Sequence, residues 1–355
     1  MKLAVKIKRK YYLLSGLFGL MLMIIIGCVY IDGTPIVNQG TEEEPKYYVN
    51  AGEVATFTLN GHIECAEDHS NVRFITAILV PKSWNARENT TVTYVSTMDD
   101  GHTSFTMSPI PETTLPKNGG GLTWSDALTA KYGVGTNVLN DMEWVAFQTD
   151  KVYTIGQHQN PTFTITYKCK TGPKNLKAHI GFFINHSDDG LSSNADHYKV
   201  AYSEECFEVV NGEGGLIDFC AYHFNQQEPL AALQDDYITF TFLGDTYTNE
   251  LINEESVYFE AVAVTDAGNR YSVNEKTDKT LMRKSEQSFS HNYSLTIWPA
   301  DFFGIPEGET ILKIEYIFTN EDGTINVTKS DDDEAIEGNQ SSGAEEPFVA
   351  ELTCG

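Results

Sequence analysis

Trp298 closes the run Tyr293-Ser-Leu-Thr-Ile-Trp, in which Tyr293, Leu295 and Ile297 fall on one face of a strand and Ser294, Thr296 and Trp298 on the other. If the first set faces a core, the indole points outward, beside a loop that carries Arg283, Lys284 and Asn292. Those residue types suit a sugar. The axial C–H groups of a pyranose stack on an aromatic ring, while its hydroxyls need planar or charged hydrogen-bond partners. The other reading is that Trp298 packs beneath that same loop. Trp124, next to Ser125 and Asp126, is a second candidate for stacking, with packing the favoured reading; Trp84 and Trp144 sit within apolar strings and read as core.

Catalytic and metal-binding patterns are missing from the sequence. Nine histidines are scattered, with none at an H-x-x-x-H spacing. Asp188-Asp189-Gly190 and Asp331-Asp332-Asp333 lack the alternating ligands of a calcium loop. Lys117-Asn118-Gly119-Gly120-Gly121 is not followed by G-K-[ST], so it is no phosphate loop, and there is no G-x-S-x-G. A glycoside hydrolase needs two carboxylates roughly 5 to 10 Å apart in a cleft. A chain with 50 acidic residues neither excludes nor supports that. No cofactor is expected.

Beyond Cys28 the cysteines are Cys65, Cys169, Cys206, Cys220 and Cys354, an odd number, so at least one is unpaired. Isolated buried thiols are the expected state. A bond between Cys220 and Cys354, at the two ends of one domain, is the attractive alternative.

The elements that would hold these residues are strands. From Tyr48 to Asn211 short β-branched and aromatic runs such as ATFTL, VRFITAILV and TFTITYKC alternate with turns, which predicts an immunoglobulin-like sandwich over 48–211. Between Leu115 and Gln148 lies a long Gly-rich stretch holding Trp124 and Trp144, either a functional insertion or a packed lid. A second sandwich is expected over 212–355. There DYITFTFL places Tyr237, Thr239 and Thr241 against Ile238, Phe240 and Phe242, and ILKIEYIF ends at the turn dipeptide Asp322-Gly323. Phe302 and Phe303 are expected to bury the corner after Pro299, and Ser330 to Pro347, with seven acids and no base, to form a long mobile loop.

The stretch Pro299, Asp301, Phe302, Phe303, Gly304, Ile305, Pro306, then Ile311, Lys313, Ile314, Phe318, Asn320, Asp322 and Gly323, resembles the C-terminal modules of SusE and SusF type outer-membrane lipoproteins of Bacteroidetes. VPKSW, GLTW and DMEWVAF, in that order, are similar to the N-terminal domain of uncharacterised lipoproteins from the same phylum. The resemblance implies a polysaccharide- or oligosaccharide-binding protein of the cell surface that works beside a SusC/SusD-like import complex without cleaving its ligand. A surface glycosidase and a structural or adhesive lipoprotein are the alternatives.

The N-terminus agrees with export. Lys2, Lys6, Lys8, Arg9 and Lys10 precede an apolar run ending Ile25-Ile26-Gly27-Cys28, which reads as a signal peptide over 1–27 with lipidation at Cys28. Residues 28–47 include three consecutive glutamates and no periodicity, and are expected to be a flexible tether. Loss of 1–27 removes five of the 24 Lys+Arg and none of the 50 Asp+Glu, leaving a formal charge of −31. Such a chain repels nucleic acid and anionic headgroups, so membrane contact is expected through the lipid anchor only; a place at the outer membrane, facing outward, is what the resemblance to surface lipoproteins implies.

Overall fold

The computed structural model describes residues 28–65, 68–338 and 345–352. Residues 1–27, the expected signal peptide, and Cys354 lie outside the described residues. The chain is all-β and divides into two compact units. Among the described residues, one unit comprises 28–212 with 218–220 and the other 213–217 with 221–352. Each unit is an immunoglobulin-like β-sandwich.

The first unit is built on a nine-stranded sheet. Its order runs Cys28–Ile31, Val54–Glu64, Thr162–Lys170, Thr90–Ser96, Phe105–Pro109, Met142–Thr149, Phe74–Pro81, Gly181–His186, Lys199–Tyr202. Val54–Glu64 shows why: Ala55, Phe57, Leu59 and Ile63 alternate inward over eleven residues. A smaller sheet containing Lys174–Ala178, Phe207–Val210 and Tyr48–Asn50 covers it. Phe57 meets Phe207 edge-on at 5.0 Å across the two layers, and Trp84 closes the same cluster. Trp84 and Trp144 are both core residues, as their apolar settings predict.

Residues 28–47 are not a tether. Cys28–Ile31 pairs antiparallel with Val54–Glu64, Ile36 bridges to Thr58, and the Gln39 side chain exchanges hydrogen bonds with the Thr56 backbone. Val29 and Val37 are buried. Their short apolar spacing was masked by the polar residues between them. Gly61 makes the pairing feasible, because a Cβ there would collide with the Tyr30 carbonyl and the Phe163 ring.

The stretch between Leu115 and Gln148 is packed. Thr123 caps a helix, Trp124–Tyr132, that ends at Gly133 with φ of 60°. Its Tyr132 ring lies 6.3 Å from Trp144, whose indole donates to the Gly133 carbonyl at 3.0 Å.

In the second unit a sheet ordered Asn225–Glu228, Ile238–Leu243, Asn292–Ile297, Arg283–Lys284 faces one ordered Arg270–Val273, Tyr258–Thr265, Ile311–Thr319, Asn326–Val327. Phe348–Glu351 also pairs with Ile311–Thr319. The core between them is aromatic: Phe240 lies 4.8 Å from Phe259 and 4.9 Å from Tyr316, and Phe242 lies 5.0 Å from Phe318. The first part of the expected mobile loop after Ser330 is a helix instead, Lys329–Glu337, while residues 339–344 lie outside the described residues. A reciprocal capping box between Thr328 and Asp331 starts it, and acids in the first turn suit the positive end of the helix.

Candidate functional site

Trp298 is 44 % exposed and Tyr237 is 72 % exposed. Their strands place them together. Ile238 and Ile297 are the last registered pair of Ile238–Leu243 with Asn292–Ile297, and both are buried. Directly opposed residues in an antiparallel pair share a face, and the next position along flips to the other face. Tyr237 and Trp298, each one residue past that pair, therefore both emerge exposed at the same end of the two strands.

The next two rows of the outer face are polar. Thr239 and Thr296 are opposed, with their hydroxyls 2.8 Å apart, and Glu228 extends the same row. Gln226, Thr241, Ser294 and Arg283 make the next row. The surface thus offers two aromatic faces at one end and hydroxyl, amide and guanidinium groups beyond.

The aromatic end is held firmly. Trp298 is the N-cap of the helix Pro299–Phe303, its carbonyl accepting the Phe302 N–H at 2.8 Å. Pro299 suits the first helical position, and Gly304, with φ of 65°, ends the helix. Phe302 and Phe303 are buried beneath it, as expected. Gln234, in the loop before Tyr237, accepts the Ala300 N–H through its backbone carbonyl at 3.3 Å and the Ile311 N–H through its side chain at 2.9 Å. One residue thereby ties both approaches to the aromatic pair.

Three of the residues expected next to Trp298 lie further along the sheet, Arg283 among them in the second polar row. Arg283 registers with Ser294 and Lys284 with Tyr293. At about 3.3 Å per residue, Ser294 is roughly 13 Å from Trp298 along the strand and Asn292 roughly 20 Å. Arg283 pairs with Glu286, Lys284 lies over the Tyr293 ring at 5.5 Å, and the Asn292 amide oxygen accepts the Asp245 N–H at 3.2 Å. Closeness in sequence put them at the far end because the antiparallel hairpin runs away from Trp298. Tyr237 was missed as a partner: its outward position is legible in DYITFTFL, but the strand it pairs with is not.

Trp124 is 6 % exposed and lies 6.3 Å from Phe183, so it belongs to the packing of its helix. The backbone of Cys28 opens the first strand, and its side chain lies outside the described residues. Cys65 and Cys169 are free and buried, as expected, but Cys206 and Cys220 form a disulfide, which replaces the alternative bond between Cys220 and Cys354. Among the described residues, one group brings three metal-type ligand atoms together, His179, Cys206 and Cys220, and two of these are the disulfide.

Residues 38–223 match the family model described as Domain of unknown function (DUF4961), and the chain belongs to that family. Residues 225–327 match a second model, Domain of unknown function (DUF8578). No curated protein matches. Among solved structures the chain is similar to AvmM, which catalyses macrocyclization in alchivemycin A biosynthesis. The identity is 11 %, coverage is 53 % of this chain and 92 % of that one, and the TM-score is 0.28. For the B domain of a biofilm-associated protein the values are 10 %, 84 %, 82 % and 0.25. For BcpA, the major pilin subunit of Bacillus cereus, they are 8 %, 92 %, 66 % and 0.17. Scores this low place no activity on this chain.

Proposed function

We propose that this chain is a non-catalytic carbohydrate-binding lipoprotein of the outer membrane, displayed at the cell surface through acylated Cys28. It would hold a polysaccharide for a SusC/SusD-like importer. The observation that carries the reading is the outward pair Tyr237 and Trp298 beside rows of hydroxyl and amide groups: rigid stacking surfaces next to planar hydrogen-bond partners are what a glycan chain requires. The resemblance of the Pro299 to Asp322 stretch to SusE/SusF modules supports the same reading. Of 50 acids against 24 bases overall, few bases lie on this face, so the ligand is a neutral glycan.

If Cys28 is acylated, the lipid joins directly onto a paired strand, and the first domain is held at the membrane without slack. Electrophoresis of the protein through gels containing neutral polysaccharides tests the function. Retardation by one of them, with no new reducing ends in solution, is the expected result; free migration through the whole panel, or release of reducing ends, overturns it.

A further inference from the structure

His179, Cys206 and Cys220 converge in the first domain, where one ligand-type atom from each lies within 4.8 Å of the other two. Separate segments bring them there. Lys174–Ala178 and Phe207–Val210 pair antiparallel as far as Ala178 opposite Phe207, so His179 and Cys206 flank their strands at the same end. Cys220 arrives on the segment 218–220, which belongs to the same unit. Phe219 fixes that segment, donating its N–H to the Lys177 carbonyl at 2.9 Å and accepting the Val138 N–H at 2.8 Å.

His179 and Cys220 are oriented by their neighbours. The Asn137 side chain accepts the His179 N–H at 2.8 Å and donates to the His179 carbonyl at 2.9 Å. His179 Nδ1 lies 3.0 Å from the Ser203 carbonyl. A carbonyl only accepts, so Nδ1 carries the proton and Nε2 of the neutral ring keeps its lone pair, the arrangement that metal-binding histidines use. The buried Asp218 carboxylate accepts the Cys220 N–H at 2.7 Å. All three ligands are partly exposed, so an ion reaches them from solvent.

In the oxidised chain the two sulfurs are bonded to each other. A dithiol reductant opens that bond: it gives up two electrons and two protons and becomes a disulfide, and Cys206 and Cys220 become two thiols. A divalent ion then displaces the two thiol protons as it binds the sulfurs. Two thiolates and an imidazole suit zinc, whose tetrahedral ligand atoms stand about 3.5 to 3.8 Å apart. The two Cα atoms are 6.4 Å apart, so rotation about the Cα–Cβ bonds opens the sulfurs to that spacing with the backbone in place. Three protein ligands leave the fourth position to water. We propose that the reduced chain binds one zinc ion through His179, Cys206 and Cys220, and that the disulfide is the metal-free form of the same site. The site is independent of Tyr237 and Trp298.

The test uses the full chain, reduced with dithiothreitol, freed of it under nitrogen, and titrated with Co²⁺ as a coloured stand-in and then with Zn²⁺. The expected result is one equivalent of cobalt with thiolate charge-transfer bands and the strong visible bands of a four-coordinate ion, lost when zinc displaces it. Zinc should also raise the melting temperature of the reduced chain, because an ion held only by the folded site stabilises the fold. The oxidised chain should show neither effect. His179→Ala should weaken cobalt binding by at least about tenfold. Absence of the charge-transfer bands in the reduced chain would overturn the proposal. So would bands that persist in Cys206→Ser/Cys220→Ser, which would belong to other thiols, or an affinity that His179→Ala leaves unchanged. A reduced chain whose melting zinc does not shift, or that shows no cooperative melt even in zinc, would overturn it as well.

Discussion

The Asp332 carboxylate accepts the backbone N–H of Phe224 at 2.6 Å, joining residues 108 apart in sequence. Its other oxygen lies 2.5 Å from His223 Nδ1. This buried acid ties the helix Lys329–Glu337 to the strand that begins the second sandwich. Replacing Asp332 with Ala leaves a buried N–H without its acceptor, which costs about 1 to 3 kcal/mol. Asp332→Asn keeps an acceptor and should lose less. Chemical denaturation of the two variants checks the order; equal stability to wild type would show the contact to be incidental.

On the outer face, Trp298→Ala and Tyr237→Ala should each weaken polysaccharide binding about tenfold or more, if stacking on sugar is worth the roughly 1 to 3 kcal/mol of stacking on bases. Neither should move the melting temperature much, because both rings are exposed. Ile297→Ala, one residue earlier and buried, should instead destabilise by about 2 to 5 kcal/mol. Affinity electrophoresis and thermal melts read the two effects separately.

The Cys206–Cys220 bond closes a loop of 14 residues. A Cys206→Ser/Cys220→Ser variant should lose about 2 to 4 kcal/mol of stability. Peptide mapping without reduction should recover the 206–220 pair. Cys65 and Cys169 should resist thiol reagents until the chain unfolds: both are buried, and burial raises both thiols, that of Cys169 to about 11. Rapid labelling of either in the native protein would contradict this assignment.

Val37→Ala should destabilise the first domain by about 1 to 3 kcal/mol, the worth of a buried valine side chain. A flexible tether would tolerate the change silently, so an unchanged denaturation curve would restore the tether.

Glu143 makes a pH prediction of definite sign. Its folded carboxyl is raised above the ordinary 4.5 by burial, so its stabilising contribution is present below that value and is lost as pH rises through the folded value. Glu143→Gln does not titrate. The stability of wild type relative to Glu143→Gln should therefore fall as pH rises from about 4 towards neutrality. A flat difference across that range would mean that Glu143 is better solvated than its position implies.

The sandwich architecture was legible in the sequence because strand periodicity is local. Phe240 and Phe242 alternate with Thr239 and Thr241, and Tyr293, Leu295 and Ile297 with Ser294 and Thr296, and such alternation commits each side chain to a face before any partner is known. The outward direction of Trp298 and the burial of Phe302 and Phe303 followed from the same rule. What alternation does not carry is register and pairing, which depend on contacts between residues far apart in the chain. Only the tertiary structure brought Tyr237 to the same strand end as Trp298, moved Arg283, Lys284 and Asn292 towards the other end of the strand, joined Cys206 to Cys220, and folded residues 29–47 onto the first domain. The acidic stretch after Ser330 shows the same division. Its composition argues against a core, but one buried carboxylate, Asp332, finds a partner 108 residues away, and that non-local hydrogen bond anchors the helix.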